Sequence, residues 1–167
     1  MAVSVAGRAL LRDGLGNVYV RPRLAPPLIY EAEGPKTPRP WPERKTDPAL
    51  LALPKMPARM RQLATELTAG CTTDTEKVRA CMRYVERHCR YALVPYRIPF
   101  DRDATDYFLF EKRQGWCIHF ASALAVLCRL VDVPSRVVVG FGSGEREAIT
   151  NTIRITDREA HAWVEAR

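Results

Sequence analysis

The chain has no long apolar run. Its longest stretch of low charge, Trp116 to Leu127, is twelve residues and includes His119 and Ser122, well short of the roughly 20 apolar residues that a membrane-spanning helix needs. It has no signal-peptide pattern either: Arg8 interrupts the mildly apolar start from Met1 to Leu11 and no charged segment precedes it, so an export signal is expected only outside this chain. The five cysteines, at positions 71, 81, 89, 117 and 128, include no C-x-x-C pair. An odd count without that spacing indicates neither a disulfide framework nor a zinc ribbon, and it leaves at least one thiol free. Residues 1 to 48 show no internal repeat.

Charge of one sign is in excess, with 26 Lys and Arg against 19 Asp and Glu, for a net +7. Arg79, Arg83, Arg87 and Arg90 are spaced 4, 4 and 3 and share one helical face. The stripe has no interleaved aromatic ladder and fits no DNA- or RNA-binding motif, so it reads as a solvated helix face with no nucleic-acid partner expected. Asp101, Asp103 and Asp106 raise a calcium-loop question, but the loop glycine and closing glutamate are missing. They are expected in a solvated loop over 91–110, and neither a metal nor a cofactor is implied.

What is there falls into two parts, 1–48 and 49–167. Residues 1 to 48 hold eight of the thirteen prolines, including Pro26-Pro27 and the run Pro35, Pro38, Pro40, Pro42. Proline at that density forbids long helices and central strands, so an extended arm or linker is expected, with a short strand near Asn17 to Val20. From Leu50 the pattern becomes helical. Met56, Met60, Leu63 and Leu67 recur every three or four residues and Gly70 follows as a stop, predicting a first helix. Thr73 with Glu76 three residues later predicts a capping box, after which Val78, Met82, Val85 and Cys89 line one face of a second helix. Cys81, Cys89 and Cys128 are expected as small buried hydrophobes.

Cys117 to Val131 is apolar nearly all round and predicts a central, buried helix. Strands are predicted over Arg136 to Phe141, Thr150 to Thr156 and His161 to Glu165, with a turn starting at Gly142-Ser143-Gly144. Helices followed by strands give an α+β domain with a small antiparallel sheet.

Within that order Cys117 stands at the first turn of the buried helix. Unpaired backbone N–H groups and the positive end of the helix dipole there favour a thiolate. His161 follows 44 residues later on the last predicted strand, a rigid platform for an imidazole facing the helix start, and the two make a workable nucleophile and base. Backbone N–H groups at the helix start, that of Cys117 included, would supply part of an oxyanion hole. His119 lies two positions after Cys117, roughly 200° round a helix, which argues against a shared metal and for a packing or hydrogen-bonding role. His88 is expected at the surface of the second helix.

Three segments carry a family resemblance: Gly115-Trp116-Cys117-Ile118-His119-Phe120-Ala121, then Pro134-Ser135-Arg136-Val137-Val138-Val139-Gly140-Phe141, then Ala160-His161-Ala162-Trp163-Val164-Glu165. In this order the chain resembles the transglutaminase-like superfamily, most closely its bacterial members. The resemblance covers roughly residues 50 to 167. It implies a papain-like, transglutaminase-like core with Cys117 as nucleophile and His161 as base. It also implies acyl transfer on protein or peptide amides through a thioester, with peptidase- or amidase-type hydrolysis somewhat favoured over cross-linking. Such relatives are often extracytoplasmic parts of membrane proteins.

The resemblance further implies an aspartate, beyond a later turn and strand, that orients the histidine. Arg167 is six residues after His161, and Asp157 and Glu165 are each four residues from it, about 13 Å along an extended strand. Neither is expected to reach the imidazole. The core is therefore expected to be incomplete at its C-terminus, with a non-catalytic interaction module as the alternative reading, and with an unpaired strand edge that lowers solubility.

Overall fold

The computed structural model describes residues 2–5, 10–12, 18–20, 30–33, 47–142, 144–146 and 153–167. The chain divides into two compact units, Met1–Arg44 and Lys45–Arg167. In the first, β1 (Ala2–Val5) pairs antiparallel with β4 (Tyr30–Glu33), and β2 (Leu10–Arg12) with β3 (Val18–Val20). β1, β2 and β3 precede the first proline, Pro22, and β4 lies between Pro27 and Pro35, so every strand residue keeps the N–H that a ladder needs. The strand expected near Asn17 to Val20 is β3, with Asn17 itself outside the described residues. The run from Pro35 to Pro42 also lies outside them.

The second unit opens with two helices, and local sequence explains both. α1 (Ala58–Thr68) buries Met60 and Ala64, and Gly70 just beyond it takes φ +86°, the left-handed conformation that glycine supplies at a helix stop. α2 (Asp74–His88) begins with the expected reciprocal cap. The Glu76 N–H donates to Thr73 Oγ1 at 3.2 Å, while Glu76 Oε2 accepts from the Thr73 N–H at 3.0 Å and the Thr72 N–H at 2.7 Å. Those bonds, the one from the Thr72 backbone first, hold the Glu76 carboxyl below its ordinary range.

The buried stripe of α2 differs from expectation at one position. Cys81 and Val85 are buried, with Cys89 just beyond the helix, whereas Met82 is exposed. The stripe thus runs 81, 85, 89, a four-residue row, and Met82 stands one position round the helix from it. Arg79, Arg83, Arg87 and Arg90 are all exposed, as expected of a solvated face, and His88 is exposed too.

The loop expected over 91–110 needs a larger correction. Its second half is helical: α3 (Ala104–Asp106) runs directly into a π-helical stretch, Tyr107–Lys112. Phe108 and Leu109 are fully buried in the core with Met56, Met60, Ala64, Cys81, Val85 and Leu127. Asp103 is a helix cap, accepting from the N–H groups of Thr105 and Asp106 at 2.9 Å each. Asp106 is only 3% exposed and bonds to Arg59, so neither aspartate is a solvated loop residue. Among the described residues no group of three or more His, Cys, Asp and Glu is placed to hold a metal ion.

Next come β5 (Arg90–Tyr91) and β6 (Gln114–Gly115), paired in parallel. α4 (Cys117–Leu130) follows as the expected central helix, burying Ala121, Ala123, Ala125, Leu127 and Cys128. The last layer is β7 (Ser135–Phe141) paired antiparallel with β10 (Ala160–Ala166), His161 standing opposite Gly140 and Trp163 opposite Val138. Between them β8 (Glu145–Arg146) pairs with β9 (Ile153–Arg154). The strand expected over Thr150 to Thr156 is described only as β9, and Ser143 and Thr150 to Thr152 lie outside the described residues. α4 packs on α1 and α2 and on β7 and β10. This is the α+β arrangement expected of helices preceding a small antiparallel sheet. No helix among the described residues is long and apolar enough to cross a membrane.

Candidate active site

Cys117 is the first residue of α4, and Trp116 before it is extended, with φ −119° and ψ −173°. That change of backbone at one residue puts the half-buried cysteine at the end of a buried helix. Helix starts leave N–H groups without intrahelical partners, and here they divide into two sets. The His119 N–H donates to the Trp116 carbonyl at 2.9 Å and the Trp116 N–H donates to His119 Nδ1 at 3.3 Å. The N–H groups of Cys117 and Ile118 have no hydrogen-bond partner among the described residues. Two donors are therefore free at the helix start beside the Cys117 side chain.

β5 and β6 brace the approach to this helix. The Arg90 N–H donates to the Arg113 carbonyl at 2.8 Å, the Ala92 N–H to the Gly115 carbonyl at 2.7 Å, and Arg90 Nη2 to Gln114 Oε1 at 2.8 Å. Glycine at 115 leaves room for His119, because a Cβ there would lie 2.8 Å from His119 Cγ. Around that ring stand Trp116 at 4.2 Å, Tyr96 at 5.2 Å and Phe108 at 5.6 Å between centroids. Burial among them holds the His119 imidazole below its ordinary range. It also pushes the Tyr96 phenol up, and the Tyr96 hydroxyl is buried without a partner among the described residues.

His161 is the second residue of β10 and is exposed. Directly paired residues share a face of an antiparallel sheet, so His161, Gly140, Trp163, Val138, Glu165 and Arg136 lie on one face and Ala162 on the other. Ala162 is buried, and Trp163 reaches over Gly140, where an added Cβ would sit 3.0 Å from the indole. α4 and β10 are in direct contact, so Cys117 and His161 sit on two elements that pack together. Among the described residues no hydrogen bond joins their side chains. Glu165 is engaged elsewhere: both Arg136 Nε and Nη2 donate to its Oε2, at 2.8 and 2.6 Å.

The sequence reading missed Tyr96 and gave His119 no specific partner. A signal for the second was present, since His119 is three residues after Trp116 at the N-cap position, the offset at which a capping-box side chain returns to the N-cap N–H.

Residues 61–167 match the sequence model of the transglutaminase-like superfamily. The chain belongs to that superfamily. It is 37% identical over 116 residues to the uncharacterized protein YebA of Bacillus subtilis and 36% identical over 108 residues to a protein-glutamine gamma-glutamyltransferase of Pseudomonas aeruginosa. The matches cover 66% and 64% of this chain but only 16% of either relative, so the chain spans about a sixth of their length. The periplasmic domain of TgpA from Pseudomonas aeruginosa superposes with a TM-score of 0.63 at 34% identity, over 72% of this chain and 43% of that one.

Proposed function

We propose that this unit is a cysteine-dependent acyl-transfer domain acting on protein or peptide amides, with Cys117 as nucleophile and His161 as base. The observation that carries the proposal is the packing of α4 on β10, with Cys117 first on the helix and His161 near the start of the strand. The name of the Pseudomonas relative favours the γ-carboxamide of a glutamine as the acyl donor.

His161 takes the thiol proton, and the Cys117 sulfur attacks the amide carbon, with the oxyanion held by the N–H groups of Cys117 and Ile118. The C–N bond then breaks, the amine leaves with the proton from His161, and a thioester remains. A primary amine or water attacks the thioester, giving up its proton to His161, and the thiol is regenerated. An amine yields a new amide; water yields a carboxylate.

The test uses a glutamine-containing peptide with a labelled primary amine, following ammonia release and label incorporation together. Ammonia release abolished by Cys117→Ala and His161→Ala supports the proposal, and label incorporation decides between amine and water as acceptor. Ammonia release that persists in Cys117→Ala would overturn it. So would an inactive protein whose Cys117 is alkylated no faster than half-exposed Cys71.

A further inference from the structure

The start of α4 is closed by a side chain that carries no negative charge. In the usual capping box a Glu or Gln at the third helical position returns to the N-cap N–H, and α2 of this protein does so with Glu76. On α4 the residue in that place is His119, whose Nδ1 accepts from the Trp116 N–H at 3.3 Å. An imidazole can accept there only through a lone pair, so the ring is neutral with its proton on Nε2. The ring is also held in place: Gly115 leaves it room and Trp116, Tyr96 and Phe108 surround it.

We infer that His119 is a positioning residue that caps the helix under Cys117 as a neutral acceptor, fixing Trp116 while keeping a carboxylate away from the thiol. A glutamate in its place would satisfy the same N–H, but its charge would offset the positive helix end and disfavour a thiolate two residues away. α2 is built the other way. That helix start carries no reactive group, and it is capped by a carboxylate with a second acid, Asp74, in its first turn. α4 has no acidic residue in its first turn.

The inference rests on Cys117 being the nucleophile proposed above, and the test separates the two. The rate of iodoacetamide alkylation at Cys117 is measured by peptide mass spectrometry at neutral pH in the wild type, His119→Gln and His119→Glu, with Cys71 as internal reference. Gln and Glu share size and acceptor reach, so their difference isolates charge. The expected result is a rate in His119→Gln within about twofold of wild type and a rate in His119→Glu lower by roughly threefold, the effect of a charge at a helix end. Equal rates in the two variants would overturn the inference, even if wild-type Cys117 proves fast and the nucleophile reading stands. A slow wild-type Cys117 with the Gln–Glu difference intact would sink the nucleophile reading alone. A second measurement needs no variant: the imidazole nitrogen shifts of His119 should report Nε2–H with bare Nδ1, and an Nδ1–H ring at neutral pH would contradict the cap.

Discussion

Arg59 on α1 and Asp106 at the end of α3, forty-seven residues apart, are joined by a two-pronged ion pair, Arg59 Nε donating to Asp106 Oδ1 at 2.7 Å and Nη2 to Oδ2. The Asp106 side chain is 4% exposed and that of Arg59 41%. The same guanidinium reaches Glu111 at 3.0 Å and covers the ring of Phe110. The pair pins the 104–112 segment, with Phe108 and Leu109, against the first helix.

Arg59→Met should therefore destabilise the protein by about 2–4 kcal/mol. Removing one partner of a fully buried pair costs about 3–5 kcal/mol, and the half-exposed arginine lowers that figure. Glu111→Gln, on the exposed side of the same arginine, should cost under about 1 kcal/mol. Denaturant unfolding of both variants checks the pair; equal losses would mean that the Asp106 contact has no special weight.

That contact also marks where sequence reading stopped. The elements set by neighbours in sequence were legible: the α1 stripe, the Thr73–Glu76 box, the apolar α4, and the β-branched run of β7. So were Cys117 and His161 as occupants of a helix start and a strand. The 91–110 segment was not, because its prolines and aspartates look solvated until Arg59 and the core supply partners from far along the chain. The parallel β5–β6 pair was hidden for the same reason, being two residues on each side with no periodicity to read. Cys81 is buried as its apolar surroundings led one to expect, but Met82 is not, because a helical stripe fixes a face only to within one position and α2 packs on α1 and α4 through the row 81, 85, 89.

Gly115→Ala should cost about 1–3 kcal/mol, the range for overpacking a well-filled site. The new Cβ would meet His119 Cγ at 2.8 Å and its Cβ and Nδ1 at 2.9 Å, atoms near the backbone with little freedom to swing away. Adding His119→Gly removes all three atoms, so the double variant should lose less than the sum of the singles. Additive losses in a denaturant double-mutant cycle would show that the two positions do not interact.

Stability should fall on mild acidification through His119. Its imidazole is held below the ordinary 6.5 in the folded protein by burial, so the unfolded chain binds the proton more tightly. The contribution is complete above the unfolded value and is lost as pH drops through the lowered folded one. The groups around the ring do not offset this, since Trp116 and Phe108 are uncharged and burial keeps the Tyr96 phenol neutral; Lys112, over the Tyr96 ring at 5.4 Å, adds only positive charge. Melting temperatures of wild type and His119→Gln should therefore draw together, or cross, between about pH 7.5 and about pH 5. A constant difference would mean that His119 does not titrate differently on folding.

Thiol labelling should divide the five cysteines sharply. Cys81 and Cys128 have no exposed surface and Cys89 has 8%. Burial pushes their thiols up to about 11, about 12 and about 11 respectively, so at neutral pH fewer than about one in a thousand of each is the reactive thiolate. Cys71 and Cys117 are only partly buried. In the native protein, iodoacetamide should mark Cys71 and Cys117 alone, and in denaturant all five. Slow native labelling at the other three would then proceed through opening of the core. Cys81, on α2, and Cys128, on α4, belong to elements packed on each other, so those two should label at the same rate when opening is global. Fast native labelling of either would show that the packing between α2 and α4, on which the support of Cys117 depends, is looser than its burial implies.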